Sequence, residues 1–239
     1  MSTLVLVRHG QARALEPPYD RLSPAGVLQA RKLGEYWAAR GVTFDQVWTG
    51  ALERQKHTEV IVAERCREAG RRWPEAREDA AFNEYDAENI FRKLPPMLSQ
   101  RDPAFQKLWE AQLAKGAGPE GLRHFQKIFD AVMPRWQDGS LAATGVEPWS
   151  AFRARVAGAI GGMVENGGRG RRIAVFTSGG MIGLAVALAL RAPDPSALDV
   201  NLRVRNCSLT EFRFRPGRLS LDAFNLLPHI EEPELITFW

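Results

Sequence analysis

The sequence contains little cysteine and no apolar segment of membrane-spanning length, and these two absences exclude whole classes of protein. Only Cys66 and Cys207 occur among the 239 residues. Two cysteines are too few for a disulfide framework, and their spacing is not that of metal ligands. The apolar run at 181–190 is too short to cross a bilayer, and the first residues lack the basic region and cleavage site of a signal peptide. We therefore expect a cytoplasmic protein without a membrane partner.

Neither sign of charge is in large excess, and the basic residues form no nucleic-acid motif. The chain has 32 Lys and Arg against 28 Asp and Glu, which gives a net charge of +4. Arginines cluster at 169–172 and 203–205 without interleaved aromatic residues, a zinc signature or an RNA-binding signature. We therefore expect no nucleic-acid partner, whereas a small anionic ligand fits the charge. The content of 45% apolar and 25% charged residues is typical of a folded globular domain.

Three apolar segments rich in β-formers predict buried parallel strands at 4–7, 45–49 and 172–176. Each is followed by turn or helix signals, as in α/β proteins. Near the end of the chain, two alternating segments lie on either side of Pro216 and Gly217. This pattern predicts an antiparallel hairpin at the edge of the sheet.

Helix signals follow these strands. Ser23 can cap a helix, Pro24 can occupy its first position, and Gly41 can end it. A second helix is predicted over about 51–69, and a third begins after Gly180. The alternation predicts a three-layer α/β/α sandwich around a mostly parallel sheet.

The segment 85–150 interrupts the alternation of strands and helices. It contains consecutive prolines at 95 and 96, the sequence GAGPEG at 116–121, and an amphipathic stripe at helical spacing. The stripe consists of Leu122, Phe125, Phe129, Val132 and Trp136. Such a stripe is more typical of core packing than of a cofactor site. We expect a single domain, 1–239, in which 85–150 is a helical insertion over the active-site end of the sheet.

Reactive side chains follow the predicted strands, at the sheet edge where α/β proteins bind ligands. Arg8 and His9 follow the first strand, Arg54 lies in the first helical turn after the second, and 178–180 follow the third. An imidazole in this position can attack phosphorus if a hydrogen bond fixes its tautomer. Two guanidinium groups can bind the phosphoryl oxygens bidentately. These residues predict a site for phosphoryl transfer.

Several sequence blocks resemble the histidine phosphatase superfamily, in its phosphoglycerate mutase-like group. They are VRHGQA at 7–12, LSPAGVLQARKLG at 22–34, TGALERQKHT at 49–58, VFTSGG at 175–180 and NCSLTEF at 206–212. The resemblance implies a phosphoglycerate mutase-like α/β fold and a phosphohistidine formed on His9. It also implies that Arg8 and Arg54 line the phosphate pocket, and that neither a metal nor another cofactor takes part.

The resemblance further implies a carboxylate that protonates the leaving oxygen and later activates water. Glu84 is the best candidate, and Asp86 and Glu88 are close enough in sequence to compete with it. A general acid needs a carboxyl pKa that is raised by burial or by negative neighbours, and a substrate phosphate can supply the latter.

The sequence departs from the family pattern after the third predicted strand. Where the family has Ser/Thr-His-Gly, this chain has Thr177, Ser178 and Gly179. A serine hydroxyl and the following helix N-terminus can still donate hydrogen bonds to phosphate, but they supply no full positive charge. The loss of one charge-stabilising group can slow an enzyme on the order of a hundredfold.

Three interpretations of this site follow. The first is a phosphatase that hydrolyses a small phosphomonoester through His9. The alternatives are an impaired family member that binds a phosphorylated ligand and a phosphoglycerate mutase-type phosphotransferase. A serine-hydrolase role for Ser178 requires glycine two residues earlier, where the chain has Phe176.

Other residues near these motifs have both functional and structural interpretations. We expect Gly10, Gln11 and Gly179 to contact substrate or phosphate, with Gly10 allowing a close approach of the backbone. His57 lies three residues after Arg54 and can replace the missing imidazole only if it faces the same side of its helix. His229 has no partner visible in the sequence and is expected to be structural. The sequence indicates neither the substrate nor the oligomeric state.

Overall fold

In the computed structural model of the protein, residues 1–13, 20–115 and 119–238 are described, without the side chains of 113–115, 119, 120 and 122. The strands are β1 (Ser2–Arg8), β2 (Gln46–Thr49), β3 (Ala76–Glu78), β4 (Arg172–Thr177), β5 (Leu209–Arg215) and β6 (Arg218–Leu226). The α-helices are α1 (Pro24–Ala39), α2 (Glu53–Glu68), α3 (Ala87–Ser99), α4 (Pro103–Lys115), α5 (Pro119–Gln137), α6 (Trp149–Asn166), α7 (Gly179–Leu190) and α8 (Pro195–Asn201).

The six strands form one mixed sheet in the order β3-β2-β4-β1-β5-β6. Strands β3, β2, β4 and β1 pair in parallel. Strand β5 pairs antiparallel with β1, and β6 pairs antiparallel with β5. The α/β class, the mostly parallel sheet and the hairpin at its edge are therefore confirmed. Strand β3 was not predicted, because its three residues carry no apolar run and only Ala76 is half-buried.

The core lies between the sheet and helices α1 and α2. Alternate residues of β1, such as Val5 and Val7, pack with Leu33 of α1 and Val62 of α2 in one buried cluster. Successive strand residues face opposite sides of a sheet, so Leu4 and its neighbour Leu6 form a second buried layer. Helix α7 contacts β1 and β6, and its residues 179–187 are buried. None of the described helices is long and apolar enough to cross a membrane.

The helix ends follow the local signals of the sequence. The hydroxyl oxygen of Ser23 accepts the N–H of Gly26 at 3.1 Å, and Pro24 opens α1. Gly41, just past the end of α1, has a φ of +63°, and Gly70, just past α2, has a φ of +71°. Only glycine adopts this conformation without strain. Helix α2 begins two residues later than expected, since Leu52 still has extended backbone.

The contacts divide the chain into two compact units, residues 1–84 with 155–239 and residues 85–154. The second unit consists of helices and has its own aromatic core. Within it, the Trp136 ring lies 5.4 Å from the rings of both Tyr85 and Trp149. Phe129, Val132 and Trp136 are buried, so this part of the amphipathic stripe is core. The side chain of Leu122 and residues 116–118 lie outside the described residues. That the insertion 85–150 covers the active-site end of the sheet stays a prediction.

Candidate active site

His9 lies just after β1, and its ring is held in one tautomer. Its backbone N–H donates to the carbonyl of Thr177 on the neighbouring strand at 2.9 Å. The ring Nδ1 lies 2.7 Å from the carbonyl oxygen of Gly10, which can only accept. The Nε–H of Arg54 points at the ring Nε2 at 3.1 Å. The proton is therefore on Nδ1, and the lone pair is on Nε2.

The surroundings of the His9 ring disfavour its protonated form. The residue is 6% exposed, and burial lowers the pKa of His9 well below its ordinary value. The guanidinium groups of Arg54 and then Arg8 lower this pKa further, while the hydrogen bond to Gly10 opposes the shift. The imidazole is therefore neutral at physiological pH and can act as a nucleophile.

The loop after His9 is fixed by contacts with α1 and α2. The N–H of Gly10 donates to the hydroxyl oxygen of Thr58 at 3.0 Å, and this hydroxyl donates to the carbonyl of Arg54 at 2.7 Å. A Cβ atom on Gly10 would lie 2.5 Å from the carbonyl oxygen of Gly26. The close approach expected at Gly10 is thus made to the start of α1. Its contact with substrate stays a prediction.

Gln11 continues this framework. Its backbone N–H donates to the Gln29 side chain at 2.8 Å, and its side-chain oxygen accepts the hydroxyl of Ser23 at 2.8 Å. Gln29 in turn donates to the carbonyl of Leu235 at 2.8 Å. These contacts link the loop to α1 and to the end of the chain. The predicted role of Gln11 in substrate binding is untested.

Both predicted arginines lie near His9. Arg54 is in the first turn of α2, as expected, and its Nη1 forms an ion pair with Oδ1 of Asp20 at 2.6 Å. Arg8 donates to the carbonyl of Val204, and a Cβ atom on Gly179 would lie 3.7 Å from its Nε. The structure therefore brings the ends of β1 and β4 and the start of α2 together.

Ser178, at the end of β4, is completely buried and lies at the start of α7. Its hydroxyl oxygen accepts the side-chain N–H of Gln55 at 2.8 Å. The orientation of this amide is fixed, because its oxygen accepts the N–H of Leu52 at 3.3 Å and its nitrogen also donates to the carbonyl of Phe82 at 3.3 Å. The oxygen of Ser178 is thus used as an acceptor, and its proton is left for donation to a second partner.

Glu84 is the acidic candidate that contacts the start of α7. Its Oε2 accepts the N–H of Gly180 at 3.0 Å. By contrast, Asp86 accepts the N–H of Asn89 at 3.2 Å as the N-cap of α3, and Glu88 is exposed. The geometry therefore separates Glu84 from its two neighbours, which sequence spacing alone does not.

Sequence reasoning missed several residues that support the site. Arg155 of α6 donates to the carbonyls of Ala81 at 3.2 Å and Asn83 at 3.0 Å, just before Glu84. Asp20 and Gln55 contact predicted site residues through long-range pairs that no local pattern indicates. Thr58 could have been found, because a threonine four residues after Arg54 can bond back to its carbonyl.

Some alternatives receive no support from the geometry. His57 is exposed, so the missing imidazole is not replaced from this position. His229 is buried, and neither of its ring nitrogens has a hydrogen-bond partner among the residues described. Within the same part of the chain, no group of three or more His, Cys, Asp or Glu is arranged to hold a metal ion.

Solved structures share this fold over almost their whole length. Bacillus stearothermophilus YhfR has a TM-score of 0.66 and 20% identity, with 97% of this chain and 100% of that chain covered. A phosphoserine phosphatase mutant from Entamoeba histolytica, in complex with phosphoserine, has a TM-score of 0.59 and 18% identity, with 96% and 100% covered. At such identities the likeness establishes the fold alone.

Sequence comparison adds the family. A 2,3-bisphosphoglycerate-dependent phosphoglycerate mutase from Parvibaculum lavamentivorans is 37% identical over 89 residues. The match covers 35% of this chain and 41% of that protein, so the chain spans about two fifths of the length of this curated relative. The histidine phosphatase superfamily (branch 1) matches residues 4–135 and 120–227. This match includes most of the sequence and the ends of both β1 and β4. The chain therefore belongs to the histidine phosphatase superfamily.

Proposed function

We propose that the protein hydrolyses a small phosphomonoester in two steps, without a metal ion, through a phosphohistidine on His9. The observation that carries this proposal is the tautomer of the buried ring. The proton is held on Nδ1 by the Gly10 carbonyl, and the lone pair on Nε2 points to the Arg54 guanidinium. A neutral nucleophile facing a cation is arranged to receive an anionic phosphoryl group.

In the first step, Nε2 of His9 forms a bond to phosphorus as the bond from phosphorus to the leaving oxygen breaks. Arg8 and Arg54 stabilise the charge on the phosphoryl oxygens. The carboxyl group of Glu84 gives its proton to the leaving oxygen. One carboxyl oxygen accepts the Gly180 N–H at 3.0 Å, which holds the carboxyl group at the start of α7.

In the second step, water attacks phosphorus and the bond to Nε2 of His9 breaks. The Glu84 carboxylate takes a proton from this water and is ready for the next cycle. Phosphate then leaves the two arginines. Ser178 contributes a hydrogen bond from its hydroxyl to a phosphoryl oxygen, since its own oxygen is already occupied by Gln55.

A second function, binding of a phosphorylated ligand without turnover, is favoured by the character of Ser178. A buried serine that accepts from a neutral amide supplies no positive charge to the transition state. The donors of the pocket would still bind a tetrahedral anion. The names of the similar proteins, a phosphoserine phosphatase and a phosphoglycerate mutase, support phosphorylated small molecules as the ligand class of either function.

The deciding experiment is a phosphatase assay over a panel of small phosphomonoesters, combined with trapping of the phosphoenzyme. We expect wild-type turnover and an acid-labile phosphoryl group on the protein. His9→Ala should abolish the label and lower kcat by about 10³-fold or more. The exposed histidine of α2 provides the matched control, His57→Ala, which should keep both.

Retention of activity in His9→Ala would contradict the mechanism. A stable label or bound phosphate without turnover on any ester of the panel would favour the binding function. Transfer of the phosphoryl group to a phosphoglycerate rather than to water would instead indicate a mutase.

A further inference from the structure

Asp20 contacts the anion-binding groups at the start of α2. Its Oδ1 pairs with Nη1 of Arg54 at 2.6 Å, and its Oδ2 accepts the backbone N–H of Glu53 at 2.7 Å. The Arg54 backbone N–H also points to Oδ1, at 3.5 Å. A guanidinium fork and the N–H groups of a helix N-terminus are the donors that bind phosphate in proteins. Asp20 therefore occupies a site that has the chemistry of a phosphate site.

The same arginine covers the nucleophile. The Nε–H of Arg54 points at the lone pair of Nε2 of His9 at 3.1 Å, and this lone pair must be exposed before it can attack phosphorus. Asp20 thus acts on His9 through Arg54, because it holds the guanidinium where it covers the ring. The pair is partly solvated, since the side chains of Arg54 and Asp20 are 21% and 36% exposed, so an incoming anion can exchange with the carboxylate.

We propose that Asp20 is a built-in competitor of the phosphoryl group and determines how tightly the site binds a phosphate dianion. This inference rests on the proposed function and adds a residue that sets ligand affinity. Binding of phosphate breaks the pair between Asp20 and Arg54 and places a negative charge beside the carboxylate. Both effects weaken binding, and both disappear when residue 20 is neutral.

The test is calorimetric titration with inorganic phosphate, which reports binding whether or not the protein turns over esters. Asp20→Asn keeps an oxygen that can accept the Glu53 N–H but removes the charge. We expect it to bind phosphate about fivefold more tightly than wild type, the scale of one partly exposed ion pair. Asp20→Ser, which also retains a helix-capping oxygen, should show the same direction. KM for a phosphomonoester should fall in parallel.

Asp45→Asn is the matched control. Asp45 has the same kind of contacts, an ion pair with Arg171 at 2.7 Å and the N–H of Arg172 at 2.8 Å, but it precedes β2, at the opposite strand end. It should leave phosphate affinity unchanged. Equal or weaker phosphate binding by both Asp20 variants would overturn the proposal, because a residue that only supports Arg54 would weaken binding when replaced. Failure of the proposed hydrolysis is distinguishable, since phosphate would then bind without turnover.

Discussion

The ends of β1 and β4 lie side by side but contribute different kinds of group to the site. The β1 end carries a neutral imidazole whose pKa is lowered by the Arg54 and Arg8 guanidinium groups, and its loop is fixed by Thr58 and the start of α1. The β4 end carries the Ser178 hydroxyl, whose oxygen accepts from Gln55, and the backbone N–H of Gly180, which donates to Glu84. Positive charge is thus concentrated on the nucleophile side, whereas the hydrogen-bond donors on the side of the proposed acid are neutral. The comparison teaches that attack and leaving-group departure can be impaired separately.

Among changes at the β4 end, the largest effect should come from removing the proposed acid. Glu84→Gln keeps an oxygen that can accept the Gly180 N–H but has no proton to give. We expect kcat/KM for an alkyl phosphate to fall by about 10²-fold to 10⁴-fold, the usual contribution of general acid catalysis. For p-nitrophenyl phosphate the loss should be much smaller, because p-nitrophenolate leaves without a proton. Steady-state kinetics on the two esters measure the difference.

The second step supplies a further readout for this variant. Formation of the phosphoenzyme should release one equivalent of p-nitrophenolate in a burst, and the phosphoenzyme should then accumulate because no base activates water. Asp86→Asn is the control, since asparagine also caps helices well and Asp86 caps α3. An equal loss on both esters would show that Glu84 does not protonate the leaving group.

The sequence could predict the charged half of the site better than the neutral half. Arg8, His9 and Arg54 follow strands or open a helix, so their convergence is a consequence of the parallel topology. The same holds for the fold, because the three parallel strands that were predicted, β1, β2 and β4, contain apolar residues rich in β-formers, whereas β3 has no apolar run. Gln55 and Asp20 could not be predicted, because each meets its partner across a long chain separation, 123 residues in the case of Gln55 and Ser178.

A smaller effect should follow from restoring an imidazole at the β4 end. Ser178 has no exposed surface, and Gln55 lies 2.8 Å from its oxygen, so Ser178→His alone should overpack the site and lower the free energy of unfolding by about 1–3 kcal/mol. Adding Gln55→Ala makes room for the ring. We expect the double variant to regain stability and to exceed wild-type kcat/KM by about tenfold, since an imidazole N–H directed at the phosphoryl group adds a donor that stabilises the charge of the transition state.

A double-mutant cycle measures this coupling through thermal unfolding and kcat/KM of the wild type, both single variants and the double variant. Gln55→Ala alone serves as the control. It should destabilise the protein modestly, because Leu52 and Ser178 lose a partner, and it should not raise activity. A double variant that is no faster than wild type would mean that the β4 end does not limit the rate.

The smallest effect on activity concerns pH, to which only the β1 end contributes an imidazole. Because the pKa of His9 is held well below its ordinary value by burial and two arginines, the nucleophile should stay neutral at pH 6.5. An unshifted histidine would be half protonated at this pH, which would lower the activity about twofold. NMR titration of the His9 ring measures this directly, and a midpoint near pH 6.5 would contradict it.

The lowered histidine pKa values should also make the free energy of unfolding depend on pH. Burial also lowers the pKa of His229, to about 4. Below pH 6.5 the unfolded chain binds protons at both histidines and the folded chain does not, so the free energy of unfolding falls as the pH is lowered. The slope is about 1.4 kcal/mol per pH unit for each histidine, and for His229 it ends near pH 4, where its folded form is also protonated. His229→Phe should remove one of the two contributions in urea unfolding at pH 7 and pH 5 and leave the His9 titration unchanged. If His229→Phe retained the full pH dependence of stability, the expectation of a lowered pKa at His229 would be wrong. The comparison of the two strand ends would be unaffected, because it depends on His9 and not on His229.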